Sequence, residues 1–209
     1  MIVIIDYGMG NLKSVYNAFM RLGCDVKISN KAEDLEQADG LVLPGVGAFG
    51  DCMNNLLHSG LIPVIKSEVV RKKPLLGICL GMQVLFEKGF EGIETKGLGF
   101  LKGNITLMSD KHERIPHIGW NNLILHKDDA LANKLTNNSY VYYVHSYSAT
   151  NINEDELIAS SVYGDIRIVG LVRKDNVMGA QFHPEKSGEE GLLILQNFKE
   201  IVDDNTTSN

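Results

Sequence analysis

The 209-residue chain has little cysteine: three residues, Cys24, Cys52 and Cys79, widely spaced, odd in number and without a Cys-x-x-Cys pair. That pattern argues against a disulfide framework or a cysteine zinc site and fits a reducing cytosol, so a cytoplasmic setting is expected. A long apolar run is also missing. The opening MIVIID has no basic segment and is stopped by Asp6, so it does not read as a secretory signal. Nothing further along approaches membrane-spanning length. No basic stripe stands out against a net charge of −6, which argues against a nucleic-acid binder. The one basic cluster, Arg71-Lys72-Lys73, ends a predicted helix, where cations suit the dipole. Phosphate loops are absent as well. There is no Gly-Lys-Ser/Thr, and Lys13 stands where the third glycine of a dinucleotide fingerprint would follow Gly8-x-Gly10.

What remains is ordinary globular composition, 44% hydrophobic and 22% charged, without repeats or a flexible linker. One domain over residues 1–202 is expected, with a polar, disordered tail at 203–209. Apolar strands are predicted at 2–5, 26–28, 40–43 and 75–78. Between the first two, Leu12, Val15, Tyr16, Phe19 and Leu22 fall at helical spacing, with Asn11 as N-cap and Gly23 as stop. Further helices are predicted at 52–58, 61–72 and from 80 to 86. Continuous apolar strands alternating with helices imply a parallel sheet covered on both faces. The second half predicts strands at short intervals, 105–108, 123–126, 140–146, 157–162, 168–173 and 178–183, with a hairpin turn at Asp175-Asn176 and a closing helix over 189–202. The expectation is an α/β domain: a mostly parallel central sheet flanked by helices, extended by antiparallel strands.

Glycine-rich patches follow three of the early strands: DYGMGN, PGVGAFGD and GICLGMQ. Carboxyl ends of strands are where open α/β sheets bind ligands. Gly77-x-Cys79-x-Gly81 has the form of a nucleophile elbow, a turn so tight that its flanking positions must lack side chains. The turn sets Cys79 at the head of a helix, where the dipole favours an anion, and makes the Leu80 amide an oxyanion donor. Taken alone, the stretch also fits a buried structural cysteine among packing glycines. Of the six histidines, His183 stands out in QFHPEKS. If that segment is extended, as Pro184 favours, His183 and Glu185 share a face and Glu185 orients the imidazole. His-x-Glu also fits a solvated turn, or two metal ligands needing a third such as His117 or His145; no spacing demands a metal, and none is expected. The glycines around Val46 let the PGVG loop bring a second amide to an oxyanion.

GICLGMQ and QFHPEKS together make the chain resemble the class I, triad-type glutamine amidotransferases. Within them IPHIGWN, YVHSY and the short PGVGAFG loop are similar to the glutaminase subunits of imidazole glycerol phosphate synthase. The resemblance covers all but the tail. It implies glutamine hydrolysis to glutamate and ammonia, with Cys79 as nucleophile, His183 as acid and base, and Glu185 as its orienter. It implies oxyanion contacts from the amides of Leu80, Val46 and Gly47. Gly47, Gln83, Glu91 and the backbone of Ser146 and Tyr147 would hold glutamine's amino-acid end, and no cofactor is implied. It also implies a partner, a (β/α)8-barrel cyclase that takes the ammonia through its interior to make imidazole glycerol phosphate and aminoimidazole carboxamide ribonucleotide in histidine synthesis. Asn11, Trp120, Tyr142 and Lys186 match positions at that interface. Turnover without the partner would waste glutamine, so the mechanism further suggests that the Val46 peptide, which its flanking glycines let flip at little steric cost, stays in a non-productive orientation until the cyclase binds its ligand. Alternatives at this stage are a peptidase-type cysteine hydrolase, a non-catalytic subunit, or a glutaminase serving a paralogous cyclase.

Overall fold

The computed structural model describes residues 1–109 and 113–207. The first half runs β1 (Ile2–Ile5), α1 (Leu12–Arg21), β2 (Val26–Ser29), α2 (Ala32–Gln37), β3 (Gly40–Gly45), α3 (Phe49–Ser59), α4 (Ile62–Val70), β4 (Leu75–Cys79) and α5 (Leu80–Gln83). The second half adds β5 (Lys88–Gly89), β6 (Thr95–Lys96), β7 (Asn104–Leu107), β8 (His117–Asn122), β9 (Ile124–Leu125), β10 (Tyr140–His145), β11 (Tyr147–Thr150), β12 (Leu157–Tyr163), β13 (Ile166–Lys174), β14 (Val177–Ala180) and α6 (Gly188–Thr207). Among the described residues the main sheet has eight strands in the order β2-β1-β3-β4-β14-β13-β12-β9. The pairs from β2 to β14 are parallel and the rest antiparallel. β1, β3 and β4 are buried along their whole length, which is why they carry no alternation in sequence. Two cores result, one on each face. Phe19, Phe182 and Phe198 lie in one and Phe49, Leu56 and Phe86 in the other, each such side chain contributing ~1.5–3 kcal/mol over exposure. Smaller sheets, β10-β8 and β11-β7-β5-β6, pack beside the main one.

Several expectations need correction, each for a tertiary reason. The helix starting at Leu80 lasts one turn rather than reaching Phe86. Past Gln83 the chain tightens, with the Leu85 N–H donating to Met82 and the Phe86 N–H to Gln83, and the Val84 and Leu85 carbonyls accept from the next loop: Leu98 donates to Val84, and Phe100 and Leu101 to Leu85. Helix α2 was not predicted. The Lys73 ammonium donates to the Leu35 and Glu36 carbonyls, 2.7 Å each, and pairs with the buried Glu68 at 2.8 Å, so it closes α2 rather than serving the dipole of α4. Strands β5, β6, β8 and β11 are also additions, too short or too polar to stand out. Asn11 does precede α1, but its side chain makes no cap hydrogen bond. The segment expected to fray continues α6 to Thr207, tied by the Lys199–Asp203 pair and by the Thr206 hydroxyl donating to the Val202 carbonyl. Residues 208 and 209 of that tail lie outside the described residues.

Strands β3 and β4 approach their neighbours so closely that glycine is required at the elbow. A Cβ on Gly81 would stand 1.8 Å from the Leu43 carbonyl oxygen, and one on Gly77 would stand 2.6 Å from the Gly81 carbonyl oxygen. Backbone cannot retreat as a side chain can. Gly81→Ala is therefore expected to destabilise the protein by ~3 kcal/mol. Gly50→Ala, whose Cβ would meet nothing nearer than 3.6 Å, is expected to be neutral or stabilising, because it removes a helical glycine. Denaturant unfolding of the two variants reads the difference; equal stabilities would contradict it.

Candidate active site

The sheet register assembles the site. Parallel pairing sets Gly45 beside Cys79 and Ala180 beside Ile78, so the chain leaving β3 and the chain leaving β14 both emerge next to the elbow. Cys79 itself sits at φ 55 and ψ −113. Such a conformation costs of order 1–3 kcal/mol in a residue with a side chain. It ends β4, starts α5 and turns the thiol out of the sheet. Because α5 is a single turn, its macrodipole is small and does not carry the role that the sequence suggested for a helix behind Cys79.

His183 does not arrive on a strand. β14 ends at Ala180, and His183 heads a tight turn over Pro184–Lys186, corrected from the extended segment expected from sequence. The turn folds Glu185 beneath the ring, where its Oε1 meets His183 Nδ1 at 2.8 Å. Both side chains are buried. The His183 backbone is held too: its N–H donates to the Tyr142 carbonyl at 3.0 Å, and its carbonyl accepts from the Ser187 hydroxyl at 2.7 Å. Ser187 in turn accepts from the Tyr142 N–H at 2.9 Å. Gly191 allows α6 to close on this turn, since a Cβ there would stand 1.9 Å from the Pro184 carbonyl oxygen. Burial favours the neutral imidazole, but Cys79 and Glu185 outweigh it and hold the His183 proton up to about 9. Glu185 Oε2 is buried without a hydrogen bond among the described residues.

A cavity of about 430 Å³ opens over these groups. Val46, Gly47, Cys79, Leu80, Gln83, Glu91, Ser146, Tyr147, His183 and Lys186 line it, so the candidate residues scattered over the sequence converge. Glu185 lies behind His183 rather than in the wall. Gly47 needs its glycine, with φ +103. Glu91 is pinned by the Phe49 N–H, which donates to its Oε2 at 2.8 Å. Gln83 is buried, not a surface residue as its place on a helix suggests: its amide donates to the Tyr147 carbonyl and to Gln181 Oε1, both at 3.0 Å. The Gln181 amide points on to Cys79 Sγ at 3.8 Å.

Sequence reasoning missed Gln181, Ser187 and His145. The first two lie inside the motif that names His183, but their roles depend on contacts from β10 and α5. The other thiols are placed differently from Cys79. Burial pushes Cys52 up to about 12, partly offset by its contact with the Tyr7 hydroxyl, and burial raises Cys24 as well. No cluster of three or more metal-binding side chains exists among the described residues.

Asn11, Trp120 and Tyr142 do not line the cavity. Trp120 is no core aromatic, being 56% exposed. It pairs with Tyr142 across β8 and β10, edge to face at 5.9 Å between ring centres. Ile118, opposite Val144, extends this outward apolar face, and Val144 reaches the cavity rim.

A family model described as "Glutamine amidotransferase class-I" matches residues 3–201. The "Imidazole glycerol phosphate synthase subunit HisH" of Lactococcus lactis is 53% identical over 201 residues, which is 96% of this chain and 98% of that protein. The protein of the same name from Caldanaerobacter subterraneus is 49% identical over 202 residues, 97% of this chain and 98% of its own. A solved "glutamine amidotransferase" superposes with a TM-score of 0.76 over 97% of this chain and 100% of that one, at 22% identity, a likeness of fold. With the family pattern matched along nearly its whole length and about half its residues shared with synthase subunits, the chain belongs to the class-I glutamine amidotransferases, among the glutaminase subunits of imidazole glycerol phosphate synthase.

Proposed function

We propose that Cys79, His183 and Glu185 are the triad with which this subunit hydrolyses glutamine. The observation that carries the reading is His183, set between Cys79 and Glu185 at the floor of one cavity and holding its proton up to about 9. The Cys79 sulfur attacks the side-chain amide carbon of glutamine. The resulting oxyanion is held by the Leu80 amide and by an amide of the Val46-Gly47 stretch. His183 gives its proton to the departing nitrogen, which leaves as ammonia while a thioester forms on Cys79. The neutral imidazole then takes a proton from water, whose oxygen attacks the thioester; glutamate leaves, and the sulfur and imidazolium are restored. Glu185 fixes the ring and offsets its charge. Gly47, Gln83, Glu91 and the Ser146-Tyr147 backbone hold the amino-acid end, with the Glu91 carboxylate suited to an ammonium group.

The relatives' names place them in a synthase, and this subunit accordingly supplies ammonia to a partner cyclase in histidine biosynthesis. We infer that the partner is a (β/α)8 barrel seated on the outward face of Trp120, Tyr142 and Ile118 beside the cavity rim, with Lys186 at the mouth and Asn11 at the periphery. Apolar side chains that are exposed together in this way mark an interaction surface. The free cysteines suit a cytoplasmic setting. The domain, with α6 continuing to Thr207, carries the residues that this reading assigns to glutamine hydrolysis.

Cys79→Ala should abolish ammonia release from glutamine in the complex while leaving affinity for the cyclase unchanged; residual turnover would move the nucleophile elsewhere. The His183 proton must be present for ammonia to leave, so activity should fall as pH rises through about 9. Glu185 supports that proton, so Glu185→Gln should shift the alkaline limb toward neutrality by about 1 unit or more, read from kcat against pH. Trp120→Ala should weaken cyclase binding by about 30-fold, ~2 kcal/mol, with reactivity of Cys79 retained.

A further inference from the structure

Two buried histidines take no part in the chemistry above. His117 and His145 face each other across β8 and β10, at the end of the ladder nearest the cavity. His145 lines that cavity. Its Nδ1 stands 2.8 Å from the Tyr147 carbonyl, which can only accept, so Nδ1 carries the proton. Its Nε2 is then an acceptor and takes the His117 Nδ1 proton at 3.2 Å. His117 is held in place by ring stacking, on Tyr143 at 4.9 Å and on Tyr163 at 4.1 Å between centres. The two tautomers are thereby fixed in series. Burial lowers both imidazoles to about 4, and His183 nearby works in the same direction on His145, so the pair is neutral where the enzyme works.

The relay ends on the Tyr147 carbonyl. Tyr147 sits opposite Leu107, and the Met108 N–H donates to the Ser146 carbonyl at 2.9 Å. That places Tyr147 and Leu107 in a non-hydrogen-bonded pair, so the N–H and the carbonyl of Tyr147 both turn away from β7. The carbonyl is taken up twice, by His145 and by Gln83. We propose that His145, locked by His117, is a positioning residue that holds the Tyr147 carbonyl and so sets the backbone torsions at Tyr147, keeping the Tyr147 N–H, which faces the same side of the strand, aimed at the carboxylate of bound glutamine. The proposal rests on the reading that Ser146 and Tyr147 hold glutamine's amino-acid end. It makes the histidine pair an element of substrate affinity, remote from the bond that breaks. An interaction of that kind is equal in ground and transition states and shows in KM rather than kcat.

The test compares His145→Leu with His145→Asn in the synthase complex, measuring glutamine KM and kcat alongside melting temperature. The asparagine amide nitrogen stands in for Nδ1–H and keeps the bond to the Tyr147 carbonyl. His145→Leu is expected to raise KM at least tenfold with kcat within threefold, and His145→Asn to stay within threefold in both. His117→Leu should raise KM by a smaller factor, because it releases the tautomer without removing the donor. Should His145→Leu not fold, His145→Gln, which carries no donor at the Nδ1 position, takes its place with the same expectation. A KM within twofold of the parent, equal losses in the leucine and asparagine variants, or a loss confined to kcat would overturn the proposal. Absence of glutamine turnover in the parent complex would instead overturn the proposed function.

Discussion

The site depends on the strained turn at Cys79. Everything near it is arranged around the fact that a residue with a side chain must occupy φ 55 and ψ −113 between a buried strand and a one-turn helix. The turn closes only because Gly77, Gly81 and Gly45 let three stretches of backbone meet where any Cβ would collide with main-chain atoms or the Tyr7 hydroxyl. The strain is held by the sheet on either side, with β3 and β14 pairing in parallel to β4. A less constrained elbow would relax and withdraw the thiol. The same pairing delivers the other participants, since loops that leave neighbouring parallel strands at the same end must share a rim.

His183 shows a second layer of the same logic. Its ring is oriented by Glu185, its backbone by Tyr142 and Ser187, and the turn that carries it by the closing approach of Gly191 on α6. The imidazole cannot swing away without breaking contacts to two further elements. Catalysis by proton transfer requires this, because the same ring must serve first as acid and then as base from one position. The hairpin of β8 and β10 divides its work by strand alternation. Its inward residues, His117, Tyr143 and His145, face the core and the cavity, while Ile118, Trp120 and Tyr142 face outward.

Much of this was legible in the sequence where local rules suffice. The buried parallel strands announce themselves as unbroken apolar runs, and Gly-x-Cys-x-Gly after one of them describes an elbow that the backbone must form. The pairing of His183 with Glu185 was legible as a partnership but not as a geometry: Pro184 biases the residue before it toward extension, yet the chain turns immediately after, and the turn is stabilised by Ser187 and α6. Helix α2 and the early end of α5 were not legible, because the first is closed by a lysine from residue 73 and the second tightens at Leu85 and Phe86 into a turn whose next carbonyls are taken by amides from residues 98–101. Gln181 and His145 were hidden for the same reason. Gln181 matters through Gln83 and Cys79, and His145 joins a local contact to the Tyr147 carbonyl with one to His117 across the hairpin; neither long-range partner is encoded by spacing along the chain.

The central claim is that environment, not composition, selects one of three buried cysteines for chemistry. Cys52 is pushed up to about 12 by burial and contacts Tyr7, Cys24 is raised by burial in the opposite core, and Cys79 alone lines the cavity with His183. The most direct measurement is reaction of the synthase complex with an electrophilic glutamine analogue, followed by mapping of the modified peptide. The account predicts a single adduct on Cys79, prevented by glutamine, with Cys24 and Cys52 unmodified. An adduct on either of those thiols, or on Cys79 at a rate that glutamine does not change, would contradict it.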